Sequence, residues 1–342
     1  MMKKGLVLFV SLCVIVTLGT FSASPALAKV IQITVSDHNP EMAPPAKALG
    51  LFVKKFNELA AGKAKMTLHY GGALLKGNEA YRGVQKGVVD AAHYVLDRRD
   101  GFYLNDVVSL PFLGWPSQPE TAKMYKALRD KFPEMRAEWK GVYPLLFNMM
   151  PPSHIHNTKR DVKTPADMKG LKLHCAEAST TISSKAAGAT PVHTDIADMY
   201  MSLDRGLLDG VVNHFPVLFV FGALKLLTHH TIFGDGGINM IPMGVIFNQK
   251  KWDKYPADVK KMIEEATHTY TKAFYAMDMG FQKKTIADSK GWGHSFTYLT
   301  PEEIKVWYDL VKGKIHDKWI KDAEAKGLPG KVIYQEALNM IK

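Results

Sequence analysis

The sequence predicts an α/β protein built as two similar lobes joined by one long bridging helix. Three observations carry this expectation. Strand-like and helix-like segments alternate through most of the 342-residue chain, the signature of sheets with helical crossovers. The pattern Gly-apolar-apolar-Asp-small occurs twice, at residues 87–91 and 206–210. Residues 257–290 hold a helical pattern with no proline, which at 1.5 Å per residue spans roughly 50 Å, too long for one small lobe.

Each element follows from its residues in order. Residues 30–36 alternate with β-branched side chains and read as a first strand. Leu49, Phe52, Val53, Phe56 and Leu59 recur at helical spacing over 46–60, closed by Gly62. A second strand covers 65–70, a short helix 78–86 ends at Gly87, and residues 88–91 return to strand. The middle continues with a helix over 117–139, a strand over 142–149 and a short strand over 171–175. A helix over 179–187, a strand over 190–194, a helix over 197–204 and a strand over 207–213 complete the second half. Two further apolar strands fall near 231–233 and 241–248. After the long helix, Thr300-Pro301-Glu302-Glu303 is a helix start, with a hydroxyl N-cap, proline in the first turn and Glu at the third helical position.

Each repeated glycine motif follows an amphipathic helix that contains a tyrosine, Tyr81 or Tyr200. A glycine at a helix C-terminus takes the left-handed conformation and turns the chain into a buried strand. Two lobes built alike place a ligand site in the cleft between them.

Composition narrows the function. Apolar residues make up 46% and charged residues 23%, an ordinary globular balance. The +11 charge comes from lysines scattered in pairs, so solvated helix faces are expected and no nucleic-acid partner. Residues 1–28 combine Lys3 and Lys4, an apolar stretch and Ala26-Leu27-Ala28, the makings of a secretory signal peptide cleaved after Ala28. No later segment reads as a membrane span, so the mature chain is expected to be exported without membrane insertion. Once Cys13 leaves with the signal, Cys175 is alone, and its apolar or neutral flanks suggest a buried structural thiol.

Catalytic and cofactor motifs are missing: no G-x-S-x-G, H-E-x-x-H, G-x-x-x-x-G-K-[ST] or C-x-x-C. The reading is therefore not an enzyme and no cofactor. Histidine is the one enrichment, with 13. His154 and His156 would share one face of an extended segment, which can suit zinc. His93, His174, His193 and His214 sit at or beside strand ends.

Residues 29 to about 330 resemble the DctP-type solute-binding proteins of TRAP transporters. Gly87-Val88-Val89-Asp90 carries the first part of the match. Asn157-Thr158-Lys159-Arg160 and the stretch from Lys163 to Leu173 carry the second, Ala187 to Val192 the third, and Asp198 to Gly210 the fourth. The resemblance implies the two-lobe periplasmic solute-binding fold of Venus-flytrap type. It implies capture of a small organic solute, usually a carboxylate, and delivery to TRAP membrane permease subunits. The expected parts are a signal peptide over 1–28, an N-terminal lobe of 29–150 plus 239–278, and a C-terminal lobe of 151–238 plus 279–342.

The departures lie in the site. Where such proteins place a carboxylate-pairing arginine, this chain has His174, and where a second arginine often precedes it the chain reads Ser153-His154-Ile155-His156. The family asparagine is kept as Asn213. Arginine gives two parallel charge-assisted hydrogen bonds, whereas neutral imidazole gives one donor and one acceptor. The expected ligand is therefore not a simple mono- or dicarboxylate, unless Arg82, Arg98 or Arg99 has taken over. Asp37, His38, Asn39, Tyr94, Glu177 and Asp195 are further lining candidates at strand ends, with Phe215 as an apolar or stacking face. Two alternatives stand beside this reading: a periplasmic metal-binding protein using His154, His156 and His174, and a ligand-binding partner of a membrane sensor.

Overall fold

A computed structural model describes residues 30–175, 177–194 and 198–341. The expected signal peptide and Asp195 lie outside the described residues.

The chain starts as β1 (Ile31–Ser36), α1 (Pro44–Ala60), β2 (Ala64–His69), α2 (Ala80–Lys86) and β3 (Ala91–Val95). It continues through α3 (Gln118–Lys131), α4 (Pro133–Ala137) and β4 (Val142–Met149). The single helix expected over 117–139 breaks at Phe132, because Pro133 has no N–H and disfavours the helical conformation in the residue before it. The chain then crosses to β5 (His154–Asn157), β6 (Lys172–Cys175), α5 (Ala178–Ala186) and β7 (Thr190–Val192). Next come α6 (Met199–Asp204), β8 (Gly210–Asn213), α7 (Phe215–Val220) and β9 (His229–Ile232). It returns for β10 (Pro242–Asn248) and α8 (Gln249–Lys254), and closes with α9 (Ala257–Gly291), β11 (Ser295–Tyr298), α10 (Pro301–Val311), α11 (Asp317–Glu324) and α12 (Gly330–Ile341).

Two sheets result, ordered β2-β1-β3-β10-β4 and β11-β9-β5-β8-β6-β7. In the first, β1 is parallel to β2 and β3, and β10 runs antiparallel beside β3. In the second, β6 is parallel to β7 and β8, and β5 runs antiparallel beside β8. The run β2-β1-β3-β10 is thus matched by β7-β6-β8-β5, and the antiparallel member of each is supplied after the chain has crossed between lobes.

The repeated motif explains the match. Gly87 and Gly206 sit at φ of +80° and +67° after α2 and α6, the left-handed turn that a side chain would strain. The aspartate then locks the neighbouring strand. Asp90 accepts from the Thr34 amide at 2.6 Å and its own N–H donates to the Thr34 carbonyl at 3.0 Å. Asp209 does the same with Lys172, at 2.9 and 2.7 Å. The tyrosines are not part of the repeat, since Tyr81 is in the core and Tyr200 is 40% exposed.

The lobes are joined by residues 150–153, by 233–241 and by α9. The first two crossings are bonded to each other: Met150 N–H to Ile241 O (2.9 Å), Ser153 N–H to Asn239 O (3.1 Å) and Ile238 N–H to Ser153 O (2.7 Å). The long helix packs on α1 of the first lobe and α7 of the second. Phe52 and Phe56 of α1 and Tyr270 and Phe274 of α9 bury their rings over Val245 and Phe247. Each fully buried ring contributes on the order of 2–3 kcal/mol. At its far end α9 meets α7 through Phe281 and Phe219, ring centroids 5.0 Å apart. Beyond residue 279 the chain serves both lobes, because α10 packs on α5 while α12 packs on α3. Among the described residues no helix is long and apolar enough to cross a membrane.

Candidate ligand-binding site

Ligands of parallel α/β sheets bind beyond the carboxyl ends of the strands. In the first lobe those ends are Ser36 of β1 and Val95 of β3. The chain leaving β1 folds at once into a tight polar turn. Asp37 N–H donates to His69 O at 2.8 Å and Asp37 O accepts from Gly72 N–H at 2.9 Å, so the turn is moored to the end of β2. Oδ1 of Asp37 accepts from the Asn39 amide N–H at 2.9 Å and from Asn39 Nδ2 at 2.8 Å, an Asx-type turn.

His93 enters this turn from β3. Its Nδ1 lies 3.2 Å from Asn39 Nδ2 and 3.6 Å from Asp37 Oδ1. Because Asn39 Nδ2 is a donor, Nδ1 of His93 is the acceptor in this tautomer. Asp37 and His93 are fully buried, and burial pushes the imidazole down to about 4 against the opposing pull of the Asp37 charge. His38 stacks on His93 with ring centroids 5.3 Å apart, and burial lowers its pKa as well. The Tyr270 hydroxyl of α9 is buried without a hydrogen-bond partner, and its pKa is raised well above the usual tyrosine value, by burial first and then by the Asp37 charge. An open cavity of about 670 Å³ lies alongside, lined by Glu41, Met42, Lys47, Tyr70 and Met277 among others.

In the second lobe His174, the residue before the last of β6, is only 2% exposed, its Nε2 3.2 Å from the Thr194 carbonyl. Asn213 ends β8, 8% exposed, its Oδ1 accepting from the His214 amide at 2.8 Å. Glu177 precedes α5 and accepts from Asn239 Nδ2 at 2.5 Å, which ties it to the second hinge crossing. Burial raises its pKa, and the bond from Asn239 opposes this.

Three expected lining residues are placed elsewhere. Tyr94 points to the opposite face of β3 from His93. Its hydroxyl donates to Asp100 at 2.9 Å and its ring packs on Tyr81, Phe102 and Trp139. Phe215 is fully buried against His156, His230 and Phe296, the helix α7 carrying it into the lobe interior. His154 faces the same interior, where its Nδ1 accepts from the Phe233 amide at 3.3 Å and burial pushes it down to about 3. Nor do His154, His156 and His174 assemble as metal ligands. Both nitrogens of His156 are engaged, with His230 Nδ1 at 2.8 Å and Asn213 O at 3.1 Å. Among the described residues the one set with converging ligand atoms is Asp37, His38 and His93.

The arginines are engaged with other partners or exposed. Arg82 pairs with Asp100, Arg98 with Asp106 and Asp322, and Arg99 with Asp97. Arg129 lies over Tyr125, Trp139 and Phe147, Arg136 and Arg160 bond backbone carbonyls, and Arg205 is exposed. Cys175 is buried with its thiol pushed up to about 11, an inert structural residue.

Two lobes on bonded hinge crossings, with polar groups at the carboxyl ends of both sheets, have the build of a ligand-capturing receptor. The family profile described as "Bacterial extracellular solute-binding protein, family 7" (DctP) matches residues 35–322, and the chain belongs to that family, the solute-binding proteins of TRAP transport. It is 25% identical over 288 residues to the 2,3-diketo-L-gulonate-binding periplasmic protein YiaO of Escherichia coli (strain K12), covering 79% of this chain and 82% of the relative. It is 25% identical over 301 residues to the C4-dicarboxylate-binding periplasmic protein DctP of Rhodobacter capsulatus, covering 86% and 88%. The crystal structure of a TRAP periplasmic solute-binding protein from Desulfovibrio salexigens, in an open complex, superposes with a TM-score of 0.80 at 23% identity, covering 91% of this chain and 95% of that one.

Proposed function

We propose that this chain is the extracytoplasmic receptor of a TRAP transporter, exported to the periplasm after cleavage at Ala28. It captures a small organic acid rich in hydroxyl or oxo groups and delivers it to membrane permease subunits. The solute sits between the Asp37–His93 turn of the first lobe and the His174, Asn213 and Glu177 strand ends of the second. The observation that carries this reading is the position of the arginines, every one of which is engaged elsewhere or exposed. A plain carboxylate would then lack the bidentate guanidinium partner that such an anion needs for tight capture. Imidazole, amide and carboxylate side chains instead offer mixed donors and acceptors, which suit a solute with many hydroxyls. That one curated relative is named for 2,3-diketo-L-gulonate, a sugar acid, supports the same direction.

Closure about the bonded hinge would bring the two halves of the site together, stabilised by contacts that only the closed form makes. Micromolar to nanomolar capture corresponds to about −8 to −12 kcal/mol. Titration calorimetry at pH 7.5 tests the reading with sugar acids, oxo acids, succinate and malate. Micromolar or tighter binding of a polyhydroxylated or oxo acid is expected. Equally tight succinate or malate, with no preference for the hydroxylated acids, would overturn it.

A further inference from the structure

The turn after β1 and the end of β3 place two imidazoles and a carboxylate together, and their lone pairs converge. One ligand atom from each of Asp37, His38 and His93 lies within 4.8 Å of the other two. Asp37 Oδ1 and His93 Nδ1 already stand 3.6 Å apart. In a tetrahedral zinc site with bonds near 2.0–2.1 Å, ligand atoms stand about 3.4 Å apart. Side-chain rotations closing the remaining gap by roughly 1.5 Å complete the set.

The tautomers fit a cation. One ring nitrogen of His38 donates to the His93 backbone carbonyl, so Nδ1 of His38 keeps its lone pair, and that atom is buried with no partner among the described residues. A histidine anchored through its other N–H to a carbonyl is the usual arrangement of a metal ligand. Nδ1 of His93 also carries a lone pair, because Asn39 Nδ2 donates to it. That amide nitrogen sits 2.8 Å from Asp37 Oδ1 and 3.2 Å from His93 Nδ1, the place between the two that a bridging cation would take. Oδ2 of the fully buried Asp37 has no partner among the described residues either. A neutral protein interior holds such an orphaned carboxylate oxygen only at a penalty that a bound cation removes.

We propose that Asp37, His38 and His93 form a binding site for a divalent transition-metal ion, zinc being the first choice for this donor set, at the carboxyl ends of β1 and β3. Three protein ligands leave a fourth position open. In the receptor reading, an oxygen of the captured acid takes that position, where guanidinium is missing. This last step rests on the receptor reading above; the metal site itself does not. Asn39 gives up its bridging position on metal binding and is not a ligand.

The test uses the mature chain, stripped with EDTA and dialysed. Zinc chloride alone is titrated by calorimetry at pH 7.5, and bound metal is counted by elemental analysis. One zinc per chain with a sub-micromolar Kd is expected. His93→Gln and Asp37→Asn should each weaken it at least 100-fold. Circular dichroism melting of each variant without metal shows whether it is folded, and a folded His93→Gln that binds zinc like the parent overturns the site. So does a parent Kd above 100 μM. Solute binding by the EDTA-treated parent, with no zinc uptake, overturns the metal site and leaves the receptor reading intact. Stoichiometric zinc with no organic acid bound in its presence supports the site and counts against the receptor reading.

Discussion

Nδ1 of His156 lies 2.8 Å from Nδ1 of His230, a direct bond between two buried imidazoles. The partners fix the protons. His156 donates from Nε2 to the Asn213 carbonyl and so accepts at Nδ1, where His230 donates; His230 then accepts at Nε2 from His294, 3.1 Å away. The chain runs with every ring neutral, from the end of β8 to the partly exposed His294.

This arrangement predicts acid sensitivity. Burial holds His156 well below its ordinary value and pushes His230 down to about 3, each lowered further by a neighbouring imidazole. Unfolded, both take protons near pH 6.5. The unfolded state therefore binds more protons below that pH, so stability is full above pH 6.5 and falls as the pH drops toward the folded values. Each such group accounts for about 1.4 kcal/mol per pH unit in that window. Urea unfolding at pH 7.5 and 5.5 is expected to show a clear loss, smaller by about one proton's share in His230→Phe. An equal pH slope in the two proteins would exclude this origin.

Asp278 of α9 gives the opposite slope. It is 4% exposed, and its one partner is Gln118 Nε2 at 2.9 Å, which also donates to the Met149 carbonyl at 3.0 Å. Burial raises its carboxyl to about 6 from 3.8, the Gln118 bond opposing. The folded state holds the proton more tightly, so the stability it contributes is full below about pH 3.8 and is lost as the pH rises to about 6. Asp278→Asn keeps the shape without the charge. It is expected to stabilise the protein by up to about 3 kcal/mol at pH 7.5 and by nothing measurable at pH 3.5. Paired urea titrations at the two pH values check this, and a loss of stability at pH 7.5 would contradict it.

The two strand-locking aspartates should behave as independent copies. Hydrogen bonds to charged groups contribute about 1.5–3 kcal/mol each. Asp90→Ala and Asp209→Ala are each expected to destabilise by about that much, with the double variant additive to within about 0.5 kcal/mol. A coupling well beyond that, measured in a double-mutant cycle by denaturant unfolding, would mean the lobes do not carry these locks separately.

The sheets were legible because their strands are short and apolar and several follow a helix closed by a glycine, as at Gly87 and Gly206. Residues 142–149 were read as a strand with both ends in place. The strands β5 and β11 were not read as such. His154–Asn157 carries two histidines and an asparagine, and Ser295–Tyr298 is only partly buried, so neither shows a clear apolar alternation. Within the site, Asp37, His38 and Asn39 were legible from their place after β1. The choice between His93 and Tyr94 was not, because a one-residue slip in a strand exchanges its faces. His154 and Phe215 read as cleft residues by position, yet packing turned both inward. Tyr270 and Asn239 carried no local signal, since the crossings that bring them to the site close over many residues.

Residues 150–153 and 233–241 cross between the lobes as a bonded pair, with α9 as a third strut. A two-stranded ribbon flexes readily about one axis and resists sliding or splaying, because either would break its ladder. If this ribbon is the hinge of the proposed closure, the lobes are expected to move along a single soft coordinate, much as a door does. Substitutions far from any solute that stiffen or bias that ribbon would change apparent affinity for every guest by one common factor, the fraction of molecules already ajar at the competent angle.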